Sequence, residues 1–283
     1  MKQKILIQLD TDEHPSVFDR VVAVDANVDH LFSYGNVKLE QVEGLVHGAM
    51  FTRGPDDLQS TAIFIGGSDV SAGEAILEKV SGTFFGPLSV SVMLDANGAN
   101  TTAAAAVLAA GKHLDLAQTT ALVLGGTGPV GQRAARLLAG EGATVKLASR
   151  KLERAQEAAA RINSDKVTGA QVSDDASALE ALQGCQLVIT AGAAGVQLLS
   201  AAARKEYDAL RVMIDLNAVP PAGIENVEVM DKATDRDGVI CYGAIGVGGT
   251  KMKIHKAAIA ALFEANNQIF DAESIYELGK SGL

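Results

Sequence analysis

Residues Gly125–Lys151 read GGTGPVGQRAARLLAGEGATVKLASRK. Inside this stretch Gly126-Thr127-Gly128-Pro129-Val130-Gly131 has the spacing G-x-G-x-x-G. With 29 glycines in 283 residues that spacing alone arises by chance, so its surroundings decide. The apolar run from Ala121 precedes it, a helical pattern follows, and TVKLASR then reads as a second strand. That is the strand–turn–helix–strand setting in which such a loop cradles a dinucleotide. Gly126 is expected to permit the tight turn, Gly128 to let a pyrophosphate approach the backbone, and Gly131 to let helix and strand pack closely. Pro129 stands at the first helical position, where its missing N–H costs nothing. The free N–H groups and positive end of the helix dipole then face the anion. The bland alternative is a structural glycine turn.

A carboxylate that binds the adenosine ribose is expected about 20 residues further on, at the end of the second strand. Ala148, Ser149, Arg150 and Lys151 stand there instead. An acid would repel a 2′-phosphate, whereas a hydroxyl and two cations would hold one. Two charge-assisted hydrogen bonds, at about 1.5–3 kcal/mol each, are worth roughly a hundredfold in affinity. Arg150 is the strongest candidate because its planar fork grips phosphate oxygens in pairs. The competing reading makes Arg150 and Lys151 solvated charges, yet a cation at a helix start opposes the dipole unless an anion is near. The residues point to NADP.

On either side of this stretch short β-rich runs alternate with Ala-rich helical ones. KILIQLD, TAIFIGG and SVSVMLD read as buried strands, with DVSAGEAILEKV as a helix between the last two. ANTTAAAAVLAAGKHL reads as a helix with Asn100 or Thr101 as N-cap, bridging two domains. Further on, QLVITAG, RVMIDLNAVPP and GVICYGAIGVGG read as strands, and the segment from Lys251 as two helices packing back on the first domain. The expected fold is α/β: a Rossmann-type parallel sheet domain over 101–250, and a second, smaller α/β domain over 1–100 with 251–283, completed by the C-terminal helices.

Composition narrows the function classes. Hydrophobic residues make up 48%, charged residues 20%, and the formal net charge is −10, with no basic tract, which argues against a nucleic-acid partner. No apolar run reaches membrane-spanning length, and the N-terminus turns acidic too soon for a signal peptide, so a cytoplasmic location and no membrane partner are expected. Cys185 and Cys241 lie in apolar runs and read as small buried hydrophobes. The histidines show no ligand spacing, so no metal is expected.

No acid–base constellation declares itself. Tyr276 and Lys280 have Y-x-x-x-K spacing, but they follow the whole nucleotide fold, where that pair does not belong. Two polar loops stand out, Asp10–Asp19 (DTDEHPSVFD) and Asp95–Thr102 (DANGANTT). Each follows a strand, and ligands of open α/β sheets sit beyond the carboxyl ends of strands. Turn and cap chemistry is the alternative for both. Lys251, after the glycines of GAIGVGG, is expected at a helix start, where a solvated lysine competes with a functional one.

Together QLDTDEHPSVFD, YGNV, TAIFIGG, FFGP, MLDANGANTTAAA, GGTGPVG, SRK, YGAIGVGGTKMKIHKA and FDAESIYEL resemble the bacterial NAD(P)-dependent methylenetetrahydromethanopterin dehydrogenases of one-carbon metabolism, nearly end to end. The resemblance implies oxidation of the methylene bridge of methylene-tetrahydromethanopterin to methenyl by hydride transfer, as in formaldehyde oxidation; some members accept methylene-tetrahydrofolate. It implies a pterin-binding domain joined to a Rossmann domain, and a homo-oligomer, trimer or hexamer. It makes Lys251 the catalytic-site lysine and places Asp12, Ser16, Asp95, Asn97, Asn100 and Thr102 in the strings that orient the pterin. For NADP it puts Thr127 to Val130 at the pyrophosphate and Ser149, Arg150 and Lys151 at the 2′-phosphate. Thr190, Ala191 and Asn217 then line the ribose and nicotinamide end. Rivals are a methylene-tetrahydrofolate dehydrogenase, an NADPH sensor without turnover, and an amino-acid or shikimate-type dehydrogenase, which needs an acid–base partner the sequence does not offer.

Overall fold

A computed structural model describes residues 2–205 and 207–282. In chain order the elements are β1 Ile5–Asp10, α1 Val17–Asp25, β2 His30–Tyr34, α2 Leu39–Phe51, β3 Thr61–Gly66, α3 Val70–Thr83, β4 Ser91–Leu94 and α4 Ala99–Gly111. There follow β5 Thr120–Leu124, α5 Pro129–Gly140, β6 Thr144–Ser149, α6 Leu152–Ile162, β7 Val167–Gln171, α7 Asp175–Leu182, β8 Leu187–Thr190 and α8 Ala201–Lys205. The chain ends with β9 Val212–Asp215, β10 Lys232–Arg236, β11 Val239–Tyr242, α9 Ala244–Ala261, β12 Ile269–Phe270 and α10 Ala272–Lys280. Two compact units result, Met1–Thr101 with Met252–Leu283, and Thr102–Lys251.

The first unit carries a sheet in the order β12-β4-β3-β1-β2, every pairing parallel. β3 and β4 are buried along their whole length and β1 nearly so. Parallel strands covered on both faces read as continuous apolar runs, which is why the sequence declares them. β2 is an edge strand that alternates between exposed and half-buried residues, and its HLFSY carries no such signal. α1 is capped by the Ser16 hydroxyl, which accepts from the Asp19 N–H, and α3 by Asp69. The cap of α4 differs from the expectation. The helix starts at Ala99, and the Asp95 carboxylate accepts the N–H groups of both Asn100 and Thr101. A short 3₁₀ turn at Ala96–Gly98 brings that carboxylate back under the helix end.

The second unit carries a sheet in the order β10-β11-β9-β8-β5-β6-β7, parallel except for the β10–β11 hairpin. Its core gathers Leu122, Leu124, Val188 and Met213 around both cysteines. β7 carries no apolar run, because VTGAQ has a single buried residue, Val167. Its Gly169 lets α6 lie directly on the strand: a Cβ there would stand 2.6 Å from the Gln156 nitrogen.

GAIGVGG is not strand. β11 ends at Tyr242, and α9 begins at Ala244. The reason lies in the Glu228–Asp231 loop, which packs against the start of the helix. The Ile245 N–H donates to the Val229 carbonyl at 2.9 Å, and a Cβ on Gly246 would overlap the Asp231 carbonyl. Glycine serves here for close approach inside a helix, despite a propensity cost of about 1 kcal/mol relative to alanine. Lys251 therefore sits about two turns inside α9, not at its start, and is half-buried.

Candidate functional site

The glycine loop joins β5 to α5. The left-handed residue is Gly125, with φ of +69°; Gly126, expected to make that turn, instead packs so that a Cβ would meet the Leu147 side chain at 2.6 Å. The Gly126 N–H donates to the Ala148 carbonyl at 3.0 Å, which ties the loop to the end of β6. Gly131 lies against Gly126, where a Cβ would come within 2.7 Å of its Cα. Gly128 is different. A Cβ there would meet the Gly125 and Ala191 carbonyls at 3.5 and 3.7 Å, ordinary contact distances, and its φ of −77° suits any residue. Among the described residues nothing demands glycine at 128, and its missing side chain leaves the loop backbone open to the approach of an anion. Pro129 opens α5, Gln132 Nε2 donates to the Thr127 carbonyl at 2.8 Å, and Val130 is half-buried on the first turn. The cradle therefore fits a dinucleotide.

Ser149 closes β6, and Arg150 and Lys151 follow it exposed, before the first turn of α6. Gln171 Nε2 donates to the Arg150 carbonyl at 3.2 Å, holding its backbone beside the end of β7. Thr190 is the last residue of β8, Ala191 follows it, and Asn217 lies just beyond the end of β9. The Thr190 hydroxyl donates to Asp215 Oδ1 at 2.7 Å. Asp215 also accepts the N–H groups of Asn217 and Ile224. The Asn217 side chain accepts from the Val219 N–H and donates to the Pro221 carbonyl. These side chains shape the loop rather than project from it.

In the first unit the same device recurs. Asp10, the last residue of β1, accepts the N–H groups of Asp12 and Ser16 and the Gln8 amide. Asp12 accepts the Ser68 N–H at 3.0 Å and the Ser68 hydroxyl at 2.8 Å, and the Asn97 N–H donates to the Gly67 carbonyl at 2.7 Å. The two candidate loops, after β1 and after β4, are thus joined through the loop after β3. Asp95 and Asn100 are buried inside this knot, the Asn100 amide donating to the Leu94 carbonyl. Asn97 is exposed in a left-handed conformation, Asp12 and Ser16 are half-buried, and Thr102 is half-buried on α4. Beneath the knot lies His255 of α9, fully buried, with Nδ1 3.9 Å from Asp95 Oδ2 and its ring stacked on Phe64. His255 and Lys251 stand one turn apart on the same face of α9.

Asp19, on the first turn of α1, completes this group. Burial pushes its carboxyl up to about 6 from the ordinary 3.8; His255 opposes that shift, as does the bond to Ser16, while Asp95 and Asp10 add to it. Among the described residues no cluster of three or more His, Cys, Asp or Glu is arranged to hold a metal ion, and no helix is long and apolar enough to cross a membrane. Lys280 and Tyr276 pack as a cation over a ring, 5.0 Å from the centroid.

The chain is 49% identical to the bifunctional protein MdtA of Methylorubrum extorquens over 99% of both chains. It is 30% identical to that organism's NAD(P)-dependent methylenetetrahydromethanopterin dehydrogenase over 98% of both. The chain belongs to the methylenetetrahydromethanopterin dehydrogenase family. The family profile described as methylene-tetrahydromethanopterin dehydrogenase, N-terminal, matches residues 17–97, which include Ser68, Asp95 and Asn97 of the polar knot, while Asp10, Asp12, Ser16 and Asn100 lie just outside the match. A profile for shikimate / quinate 5-dehydrogenase matches residues 107–235, the stretch around the glycine loop. Among solved structures, the methylenetetrahydrofolate dehydrogenase-cyclohydrolase of Trypanosoma brucei superimposes with a TM-score of 0.54 at 16% identity, over 92% of this chain and 86% of that one. The 5-ketofructose reductase of Gluconobacter gives 0.52 at 14% identity, over 99% of both. At such identities these two show the shared fold alone.

The candidates legible in the sequence do not include Asp215 or His255, and they include Asp10 and Asp19 only as the bounds of the first polar loop. Asp10, Asp95 and Asp215 did leave a signal: each ends an apolar run, as QLD, MLD and MID. That pattern marks a turn, and the structure adds the carboxylate's grip on the following backbone. His255 left none, since KIHKAA is an unremarkable helical stretch.

Proposed function

We propose that the protein oxidises 5,10-methylene-tetrahydromethanopterin to the 5,10-methenyl form with NADP as hydride acceptor. The observation that carries the reading is 49% identity with MdtA along the whole chain, joined to a glycine at 128 that leaves the loop backbone open to a ligand. When bound, the cofactor supplies a nicotinamide ring that takes up hydride. As hydride leaves the bridging carbon with its electron pair, the two flanking nitrogens share the positive charge. No O–H or N–H proton moves, so the reaction needs no general base, in keeping with a sequence that offers no acid–base pair.

The residues then have binding and orienting roles. Thr127 to Val130 present the loop backbone to the pyrophosphate, and Gly126 and Gly131 hold that loop in shape. Ser149, Arg150 and Lys151 take the 2′-phosphate, which selects NADP over NAD. Thr190, Ala191 and Asn217 line the ribose and nicotinamide end, with Asp215 keeping their loop in place. Asp12, Ser16, Asn97 and Thr102 meet the pterin, while Asp95 and Asn100 act from below by fixing the loop backbone. Lys251 orients the reacting ring. The same reading carries a cytoplasmic homo-oligomer, trimer or hexamer, for which light scattering of the purified chain gives the subunit count.

Turnover with purified methylene-tetrahydromethanopterin and methylene-tetrahydrofolate, each with NADP and NAD, tests the proposal. The expected result is fastest reduction of NADP with the methanopterin substrate. Much faster reaction with the folate form replaces the substrate, and tight NADPH binding with no turnover of either pterin replaces the enzyme by a sensor.

A further inference from the structure

The carboxyl ends of β1, β3 and β4 bring together three acids and one imidazole: Asp10, Asp19, Asp95 and His255. Two of the acids have plain structural work. Asp10 accepts two backbone N–H groups and an amide, and Asp95 accepts two N–H groups and the Thr101 hydroxyl. Asp19 does not share that role, since its carboxyl takes a bond from the Ser16 side chain and ties down no loop backbone through any such set of bonds. It nevertheless sits in company that a carboxylate avoids. A Cβ on Gly66 would stand 3.2 Å from Asp10 Oδ2 and 3.5 Å from Asp19 Oδ2, so both acids crowd the space above the last residue of β3. An asparagine would fill the same volume without the like-charge cost. Titratable groups held in unfavourable surroundings concentrate where function needs them.

We propose that Asp19 is an electrostatic determinant of the reaction, its negative charge favouring the cationic methenyl product over the neutral methylene substrate. This rests on the proposed function. Hydride loss turns a neutral N–C–N bridge into a unit cation, and the proposed function puts that bridge beyond the strand ends against which Asp19, on the first turn of α1, is packed. A unit charge roughly 10 Å away, acting through an effective dielectric near 20, is worth about tenfold between a charged and a neutral ligand. The charged groups facing Asp19 are Asp10 from β1, Asp95 from the loop after β4 and His255 from α9. Protonation of Asp19 removes the favourable charge, so preference for the cation falls as the pH drops through about 6.

The test measures binding of methenyl- and methylene-tetrahydromethanopterin, without nucleotide, to the full chain and to Asp19→Asn. Expected is about tenfold weaker binding of the methenyl form, with the methylene form within twofold, and a similar drop in kcat for oxidation at unchanged KM for NADP. Equal losses for both pterins, or none, overturn the proposal. The wild-type protein gives a second measurement free of any folding defect: methenyl affinity falls between pH 7.5 and 5 while methylene affinity stays level. A flat profile, or a pH dependence that survives intact in Asp19→Asn and so belongs to another group, overturns it as well. Absence of any pterin turnover by the wild type sinks the function reading and this one with it; normal turnover with an unaltered pterin ratio sinks Asp19 alone.

Discussion

After β5 the chain turns through Gly125–Gly131, a stretch with no acidic residue, held by backbone bonds such as that from the Gly126 N–H to the Ala148 carbonyl. After β1, β4 and β9 it turns around a buried aspartate: Asp10, Asp95 and Asp215 are 0%, 1% and 2% exposed. Each of these carboxylates collects two backbone N–H groups from the segment that follows, for Asp95 from the first turn of α4. The contrast is one of purpose. An aspartate satisfies the loop's own donors and fixes its shape, whereas a glycine loop at a helix start leaves donors and dipole for an anion from outside. A loop that must receive a pyrophosphate has no place for a carboxylate, and a loop that must present side chains needs one.

The largest expected effect breaks the aspartate side of this contrast. Asp95→Ala leaves two N–H groups and the Thr101 hydroxyl without their acceptor in a buried place. At about 1–3 kcal/mol for each buried group left unsatisfied, it should lower stability by roughly 3–5 kcal/mol, read as a shift in the urea midpoint. A loss under ~1 kcal/mol would show that the carboxylate is not the anchor.

On the glycine side the effects should fall on ligand binding. Arg150→Ala should raise the KM for NADP by roughly a hundredfold, the loss of two charge-assisted bonds, and leave that for NAD within a few fold. Equal changes for both nucleotides would remove Arg150 from the 2′-phosphate. Gly128→Ala sharpens the comparison further: its contacts inside the protein are ordinary, so the urea midpoint should hold, while dinucleotide affinity falls at least tenfold, about 1.4 kcal/mol. Gly131→Ala should lose both, because its Cβ meets backbone. If the two alanine variants behave alike, position 128 has a structural role that the geometry does not carry.

The smallest expected effect concerns the core behind the second sheet. Burial pushes the Cys241 thiol up to about 11 and raises that of Cys185. Both therefore stay neutral and shielded at pH 7, and iodoacetamide should add no mass to the native protein while labelling both thiols in urea. Native labelling would place them elsewhere than the packed cluster of Leu122, Val188 and Met213.

What could be read without the fold was local. The glycine loop and its strand–turn–helix setting announce themselves because the glycine spacing, the strand before it and the helix after it are neighbours in the chain. The buried strands β1, β3, β4, β5, β8 and β9 show as apolar runs because both faces are covered. The misreadings came where a distant segment decides. The glycines of GAIGVGG look like a turn until the Glu228–Asp231 backbone is seen lying against them. VTGAQ and HLFSY look too polar for strands because edge strands bury one side at most. Asn100 looks like a helix cap, yet a residue five positions earlier does the capping.

By itself, then, the order of residues determined the fold class, the dinucleotide loop and the cationic tip of β6, since each depends on periodicity or on groups a few residues apart. Tertiary structure alone decided which acids grip backbone, which one is left crowded beside its fellows, and that His255 lies beneath them. Those roles depend on desolvation and on distances between elements far apart in the chain, and both come into being only when the sheet assembles.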